Sequence, residues 1–527
     1  MPIRMTDDPV DPNQRDDDGG GGGRRPNFPG GGGGGLMSLL PMLMGLFKGK
    51  GIILLLVIGV GAFFLLNKSG GCNPTEVIKK FSSSGYNFNP AEFNKASVYE
   101  GLEDDAGKNP LPEAVSLLKF APSRGNQGQQ GSCVAWSCAY SAQTILTAAA
   151  TGADPNQIVF SPSYLYNQIR LEGCQGSYLQ RAMEAMQSNG GVPLSRYPYD
   201  EQDCEREPGE SAKNVGRQNV IHGFTRLTNG DNVNEISVRG IKEHLAKNAP
   251  VAIGMMVGQS FMQDMMGKEL WQPQGMDQSQ MGMGGHAMSV IGYDDRKFGG
   301  AFQIMNSWGP EWGNDGVGWV RYGDFKTYVR EAYGIDPLPK RSDVANIPLE
   351  CNIGLVNNDG GKNIPLRVTG GNMFQTTTPI KKGTRFKMSI ENKTECYIYV
   401  FGMESNNTSY VLFPYVKQGE TVSKHSPYCG ITGYRLFPKA QSMEADSLGN
   451  KDFIAIVVSK DELDYNALNQ AISRSGRADY LGKVNDALQS ILISSSRFNS
   501  TSDGRIYFKV DANSNKAVAC VVAIDKQ

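Results

Sequence analysis

The chain has 527 residues, 39% of them hydrophobic and 20% charged, with a formal net charge of −1. At roughly 100–200 residues per domain, two or three domains are expected, and the near-zero charge removes the electrostatic case for nucleic acid, whose phosphates call for a basic face. Nine cysteines in so long a chain exclude a disulfide-dense scaffold, and the odd number leaves at least one thiol unpaired.

Residues 1–35 are polar and glycine-rich, with glycine runs at 19–23 and 30–35. Such a stretch buries too little apolar surface to offset its ordering entropy, so a disordered head is expected. Residues 36–68 hold two apolar runs, LMSLLPMLMGLF (36–47) and GIILLLVIGVGAFFLL (51–66), split by Lys48 and Lys50. The second run is uncharged and a little short of the roughly 20 residues that span a bilayer; snorkelling of Lys50 and Lys68 supplies the difference. Arg24, Arg25, Lys48 and Lys50 precede it. The positive-inside rule therefore predicts a single-pass membrane anchor, with a cytoplasmic N-terminus and everything downstream outside the cytoplasm, periplasmic or at the cell surface. A cleaved signal peptide fits less well, because the run begins late and no A-x-A site follows; a buried apolar hairpin is the remaining alternative. Residues 69–108 read as a linker or short pro-like segment. Two globular stretches follow, 109–338 and 345–527, divided by PLPKRSD.

The first globular stretch opens its chemistry at NQGQQGSCVAWS (126–137). Cys133 stands where a helix is expected to begin, with Ser132 as a capping residue and an apolar, helix-forming run behind it. Helix N-termini favour a thiolate through the macrodipole and unpaired backbone N–H groups. A thiolate nucleophile needs an imidazole partner, and the chain has only four histidines. His222 lies in a strand-like run and reads as structural, His244 as part of a solvated helix face, and His425 as a turn residue of the second stretch. His286 follows two glycines and opens an alternating apolar strand, HAMSVIGYDD, from which it can reach across a cleft. Asn306, on the next strand, can accept the imidazole N–H, and Trp308 and Trp312 can shield that bond from water. A tetrahedral oxyanion needs donors, which the Gln127 side chain and the Cys133 backbone N–H offer. The stretch from Met255 to Met288 is rich in methionine and reads either as a lid or specificity loop, or as a mobile surface loop.

Together these residues resemble the papain-type (C1) cysteine peptidases. Gln127 stands six residues before Cys133; Gly131-Ser132-Cys133 is followed by Ala135-Trp136-Ser137; His286 is a glycine-flanked histidine at a strand start; and Asn306 to Gly313 reads Asn-Ser-Trp-Gly-x-x-Trp-Gly. GCQGS (173–177) and NGGVPLSRYPY (189–199) resemble the family's substrate-lining and Tyr-Pro-Tyr stretches, and LPEAVSL (111–117) the start of its mature domain. The resemblance implies an α+β fold with two lobes over residues 109–338, a helical lobe with Cys133 and an antiparallel barrel-like sheet with His286 and Asn306. It implies Cys133 as nucleophile, His286 as general acid/base, Asn306 as its orienter and Gln127 as oxyanion donor, with Gly176, Ser177, Gly285 and Trp308 lining the substrate cleft. The expected function is hydrolysis of peptide bonds in peptide or protein substrates through an acyl-enzyme, by a membrane-anchored extracytoplasmic thiol peptidase. A catalytically weak binding or assembly module, and a thiol acyltransferase or isopeptidase, are the alternatives. No cofactor or metal is expected. The family usually has a cysteine at position 130 that pairs with the one matched by Cys174; here it is Gln130, which leaves Cys174 either to pair with Cys204 or to stay free. Cys138 is expected in the core. The pro-like segment shows no obvious inhibitor helix.

Residues 345–460 alternate like strands, two helical stretches follow, and two more strands end the chain, which fits a β-rich α+β or sandwich-like module. It resembles a bacterial domain appended to peptidases and holds no nucleophile–base constellation. Cys351, Cys396, Cys429 and Cys520 could form one or two disulfides in an oxidising compartment. Substrate binding and structural packing are both open as its role.

Overall fold

The computed structural model describes residues 3–7, 85–280, 282–338, 347–416, 423–439, 441–493, 498–512 and 516–527. The expected anchor (36–68), most of the expected disordered head and residues 69–84 of the pro-like segment lie outside them. Among the described residues no helix is long and apolar enough to cross a membrane.

Strand β1 (Ile3–Asp7) departs from the disorder expected of the head. It is held because its first residue has somewhere to go: Ile3 is fully buried, and the Tyr410 hydroxyl accepts its N–H at 2.9 Å and donates to its carbonyl at 3.0 Å. A single buried β-branched side chain with a satisfied backbone outweighs the polar composition around it.

Ahead of the peptidase-like part lies a short helix α1 (Pro90–Phe93), which Asn89 caps and Pro90 opens. Strand β2 (Ala114–Ser116) follows, then a long helical rod α2 built of Cys133–Ala135, Trp136–Gln143 and Thr144–Thr151, its middle section wound at the wider π pitch. Every residue from 131 to 146 is buried, small polar side chains such as Ser137, Ser141 and Thr144 among them. Helices α3 (Pro162–Ile169) and α4 (Leu179–Ser188) pack beside α2 to form the helical lobe. The second lobe is an antiparallel sheet of β3 (Phe224–Arg226), β4 (Val251–Val257), β5 (Gly284–Asp294), β6 (Ala301–Met305), β7 (Val317–Arg321) and β8 (Val329–Ile335), with helix α5 (Val238–Ala246) against it. The strand order is β3-β8-β4-β5-β6-β7, with β2 also on β5. The lobes meet where α2 crosses β5: Ser289 Oγ donates to Ser137 O at 2.8 Å. One apolar core runs through both lobes.

Residues 347–527 contain two further sheets that share a core. One carries β9 (Leu349–Asn357), β10 (Arg385–Asn392) and, after a short strand β11 (Tyr428–Cys429) of the other sheet, β12 (Gly433–Phe437) and β13 (Gln441–Ala445). Strand β1 pairs with β13 at this sheet's edge. The other sheet is covered on its outer face by helices α6 (Tyr465–Arg474) and α7 (Tyr480–Leu488). Cys351, Cys396, Cys429 and Cys520 are all buried and all free thiols, so the disulfides anticipated among them do not form, although Cys396 and Cys429 stand opposite each other in the sheet.

Candidate active site

The start of α2 and the near end of β5 bring the predicted pair together. Cys133 is the first residue of α2. Its sulfur is within hydrogen-bonding reach of its own N–H, of Val134 N–H and of Ala287 N–H, the residue after His286. Ser132 does not cap the helix; its hydroxyl instead pairs with the Tyr199 hydroxyl at 2.8 Å, so the first-turn N–H groups remain directed at the site.

His286 is on β5 opposite Met255 of β4. Its Nε2 bonds Asn306 Oδ1 at 2.7 Å, and the Trp308 ring stacks on the imidazole with centroids 4.2 Å apart. Trp312 stands edge-on to Trp308 at 6.2 Å. Asn306 Oδ1 also accepts Ser307 N–H at 2.7 Å, and this second bond fixes the amide with its oxygen toward the imidazole. Gln127 is fully buried. Its Oε1 accepts the Ser307 hydroxyl at 2.7 Å and its Nε2 donates to Gln130 O at 2.9 Å. One short loop, Asn306-Ser307, thus orients both the imidazole and the glutamine.

The electrostatics differ from the expectation of a helix-stabilised thiolate. Cys133 is wholly buried, and burial pushes its thiol up to about 12 against the three backbone N–H groups that lower it. Desolvation disfavours the charged form more than the helix start favours it. What excludes the water is the chain itself. Ser177 N–H donates to Gly85 O at 2.8 Å and Asn87 N–H to Ser177 O at 3.1 Å, a parallel bridge that lays Gly85-Tyr86-Asn87 along the cleft wall. A Cβ on Gly176 would stand 2.1 Å from Gly85 O, and one on Gly285 2.6 Å from Tyr86 O. Gly176, Ser177 and Gly285, predicted to line the substrate cleft, contact residues 85–87. The Tyr86 side chain is buried against Gly254, where a Cβ would lie 2.1 Å from the ring. Glu331 and Tyr333 face it from behind; burial raises the Glu331 carboxyl well above its ordinary range. The remaining open cleft, of about 690 Å³, borders Tyr86, Gln130, Cys174 and Gly285.

The sequence reading missed this plug. GYNFN has neither period nor motif; its one signal is the Asn89-Pro90 helix start. Cys174 pairs with Cys204, and Gln130 reaches Asp200 O and Glu201 O instead. His244, expected on a solvated face, is fully buried; its Nδ1 pairs with Gly240 O at 2.8 Å, and burial lowers it to about 4. Its helix face is covered by Tyr99. In the methionine-rich stretch Met266 and Met276 are exposed and other methionines turn inward. Met262 and Met265 are buried, and the Asp277 carboxylate ties it down through Ser260 N–H at 2.7 Å and Ser260 Oγ at 2.6 Å. Among the described residues no group of three or more His, Cys, Asp or Glu is placed to hold a metal.

Residues 119–335 match the model of the papain family cysteine proteases. Cysteine proteinase 3 of Entamoeba histolytica is 26% identical over 213 residues, 39% of this chain and 61% of that protein. Cathepsin K of Mus musculus is 25% identical over 266 residues, 49% of this chain and 73% of that protein. Thus the chain spans less than two thirds of the first of these relatives. The solved structure of xylellain, a cysteine protease from Xylella fastidiosa, is 20% identical with a TM-score of 0.41, covering 49% of this chain and 97% of that one.

Proposed function

We propose that this chain, whose residues 119–335 are a papain-family cysteine peptidase domain, hydrolyses peptide bonds with Cys133, His286, Asn306 and Gln127, and is latent as folded. In the open cleft, His286 takes the Cys133 proton and the sulfur attacks the scissile carbonyl carbon. The oxyanion is received by the Cys133 N–H and the Gln127 amide. His286 then gives the proton to the leaving amine, and a thioester remains. Water, deprotonated by His286, attacks the thioester carbonyl, and the released sulfur regains its proton. Asn306 holds the imidazole through the bond that Trp308 covers. The observation that carries this reading is the 2.7 Å His286–Asn306 pair beside the first turn of α2.

Latency is favoured by the buried thiol and by the chain's own Tyr86 in the cleft, an observation that a purely binding module would share. Labelling with an epoxysuccinyl thiol probe separates the two. Tyr86→Ala should be modified selectively at Cys133, and the adduct should vanish when His286→Ala is added. Absence of any adduct in Tyr86→Ala would favour the binding module.

Membrane tethering through residues 51–66, with the peptidase outside the cytoplasm, is proposed from the apolar run alone. The pairing of β1 with β13 bears on its topology. A single crossing with a cytoplasmic N-terminus would separate residues 3–7 from the strand they pair with, so a single pass requires that this pairing be absent in the anchored protein. Protease protection of an N-terminal tag and of the peptidase domain in intact cells tests this: opposite accessibility would support the single pass, and equal accessibility would overturn it.

A further inference from the structure

Residues 97–109 form a strap between the peptidase domain and residues 347–527, bonded to both. On the peptidase side, Arg226 N–H donates to Ser97 O at 2.9 Å and Tyr99 N–H to Arg226 O at 3.2 Å. Glu243 Oε2 accepts the Tyr99 hydroxyl at 3.0 Å and Leu102 N–H at 3.2 Å. On the opposite side, Val98 N–H donates to Lys424 O at 2.6 Å. The Glu100 carboxylate pairs with His425 Nδ1, with 4% and 6% of the two side chains exposed. Asn109 bonds Tyr434 twice, accepting its N–H at 2.9 Å and donating to its carbonyl at 2.7 Å, and Lys439 Nζ donates to Leu102 O at 3.0 Å. The strap continues upstream into α1 and the plug: the buried Arg226 guanidinium donates to Asn94 Oδ1 at 2.7 Å, and Asn89 N–H donates to the Glu331 carboxyl.

We propose that residues 347–527 act as the clamp of an intramolecular inhibitor: by gripping the strap they keep Gly85–Asn89 seated in the cleft. The plug itself is short, held by two backbone bonds to Ser177, the Asn87 Nδ2 bond to Gln175 O at 3.0 Å, the Asn89 N–H bond to Glu331 and one buried ring. A segment that short competes poorly with substrate unless its effective concentration is held high by an attachment close by. The strap supplies the attachment, and half of its anchors belong to the carboxy-terminal region, to which nothing else assigns a role. Detaching that region, or cutting the strap, then exposes Cys133 without any change in the peptidase domain. The proposal rests on the reading of this cleft as the active site.

The test uses the full chain and the rate at which an epoxysuccinyl probe modifies Cys133, located by mass spectrometry. His425→Ala and Lys439→Ala remove clamp contacts without touching the plug or the cleft. Loss of one hydrogen bond to a charged group corresponds to about tenfold in an opening equilibrium, so each variant should label about tenfold faster than wild type. Lys439→Ala, at an exposed position, carries the test alone if loss of the buried His425 pair impairs folding. Wild-type labelling rates in folded clamp variants, alongside rapid labelling of Tyr86→Ala, would overturn the clamp and leave the peptidase reading intact. Failure of Tyr86→Ala to label would overturn the reading of the cleft, and the clamp with it.

Discussion

His286 and Asn306 are joined by one hydrogen bond, and its surroundings set how much each residue contributes. In the proposed mechanism the imidazole transfers the proton, a role worth about 10²–10⁴-fold in rate. Asn306 only orients it, and Trp308 keeps water from competing for the bond. In the open Tyr86→Ala background, His286→Ala should therefore cost about 10²–10⁴-fold in kcat/KM, and Asn306→Ala distinctly less. Measured kcat/KM in the reverse order would overturn the assignment. Cys138 is equally buried, and burial pushes its thiol well up with no backbone N–H to oppose it. Cys138→Ala should keep most of the activity, and a loss as large as that of Cys133→Ala would show that the wrong sulfur has been identified. These residues were legible in the sequence because the chemistry admits few residue types and the motifs place them beside glycines and tryptophans. The protonation state of Cys133 was not legible, since it depends on what covers the sulfur.

At the scale of elements, the site depends on how close two glycines allow backbone and plug to approach. Gly254 in β4 and Gly285 in β5 both face Tyr86. Neither has the positive φ that favours glycine; each is required by space alone. Gly254→Ala puts a methyl group where the Tyr86 ring lies, 2.1 Å from its nearest atom, and the ring has to leave. Labelling of Cys133 in Gly254→Ala should therefore exceed that of wild type, and an unchanged rate would show that the ring is not what closes the cleft. Rod α2 and strand β5 could be anticipated from helix-forming composition and from alternation. The burial of His244 could not, because the side of α5 that carries it is covered by Tyr99, which is far away in sequence. The strand pairing of residues 3–7 was hidden by the glycine-rich composition that follows them.

For the whole molecule, the junction between the peptidase domain and residues 347–527 holds two carboxyls that burial raises, and their titration is expected to make stability depend on pH. Asp336 is fully buried there and pushed up to about 8, by burial first and then by Glu395 and Cys429. Glu395 is raised as well, mainly by burial, with Tyr428 and His222 beside it. A carboxyl raised on folding holds a proton that the unfolded chain has released, so its contribution is complete below the unfolded value of about 4 and falls as pH rises toward the folded one. Melting curves should show Tm decreasing from about pH 4 to about pH 8 through this group, with a shallower decrease in Asp336→Asn. Identical slopes in the two proteins would place the pH dependence elsewhere.

From the sequence alone came the assignment of Cys133 as nucleophile, His286 as its imidazole partner and Asn306 as the orienting amide, and the two-lobed scaffold, because each rests on a local constraint: residue type at a fixed spacing, or an apolar period along one element. Tertiary structure alone decided that residues 85–87 lie along the cleft, that burial pushes the Cys133 thiol upward and that a strap from the pro-like segment joins both halves of the molecule. Those features arise from contacts between residues distant in the chain, where packing and desolvation outweigh local preference. A segment as plain as Gly85–Asn89 acquires its meaning only from the surface it covers.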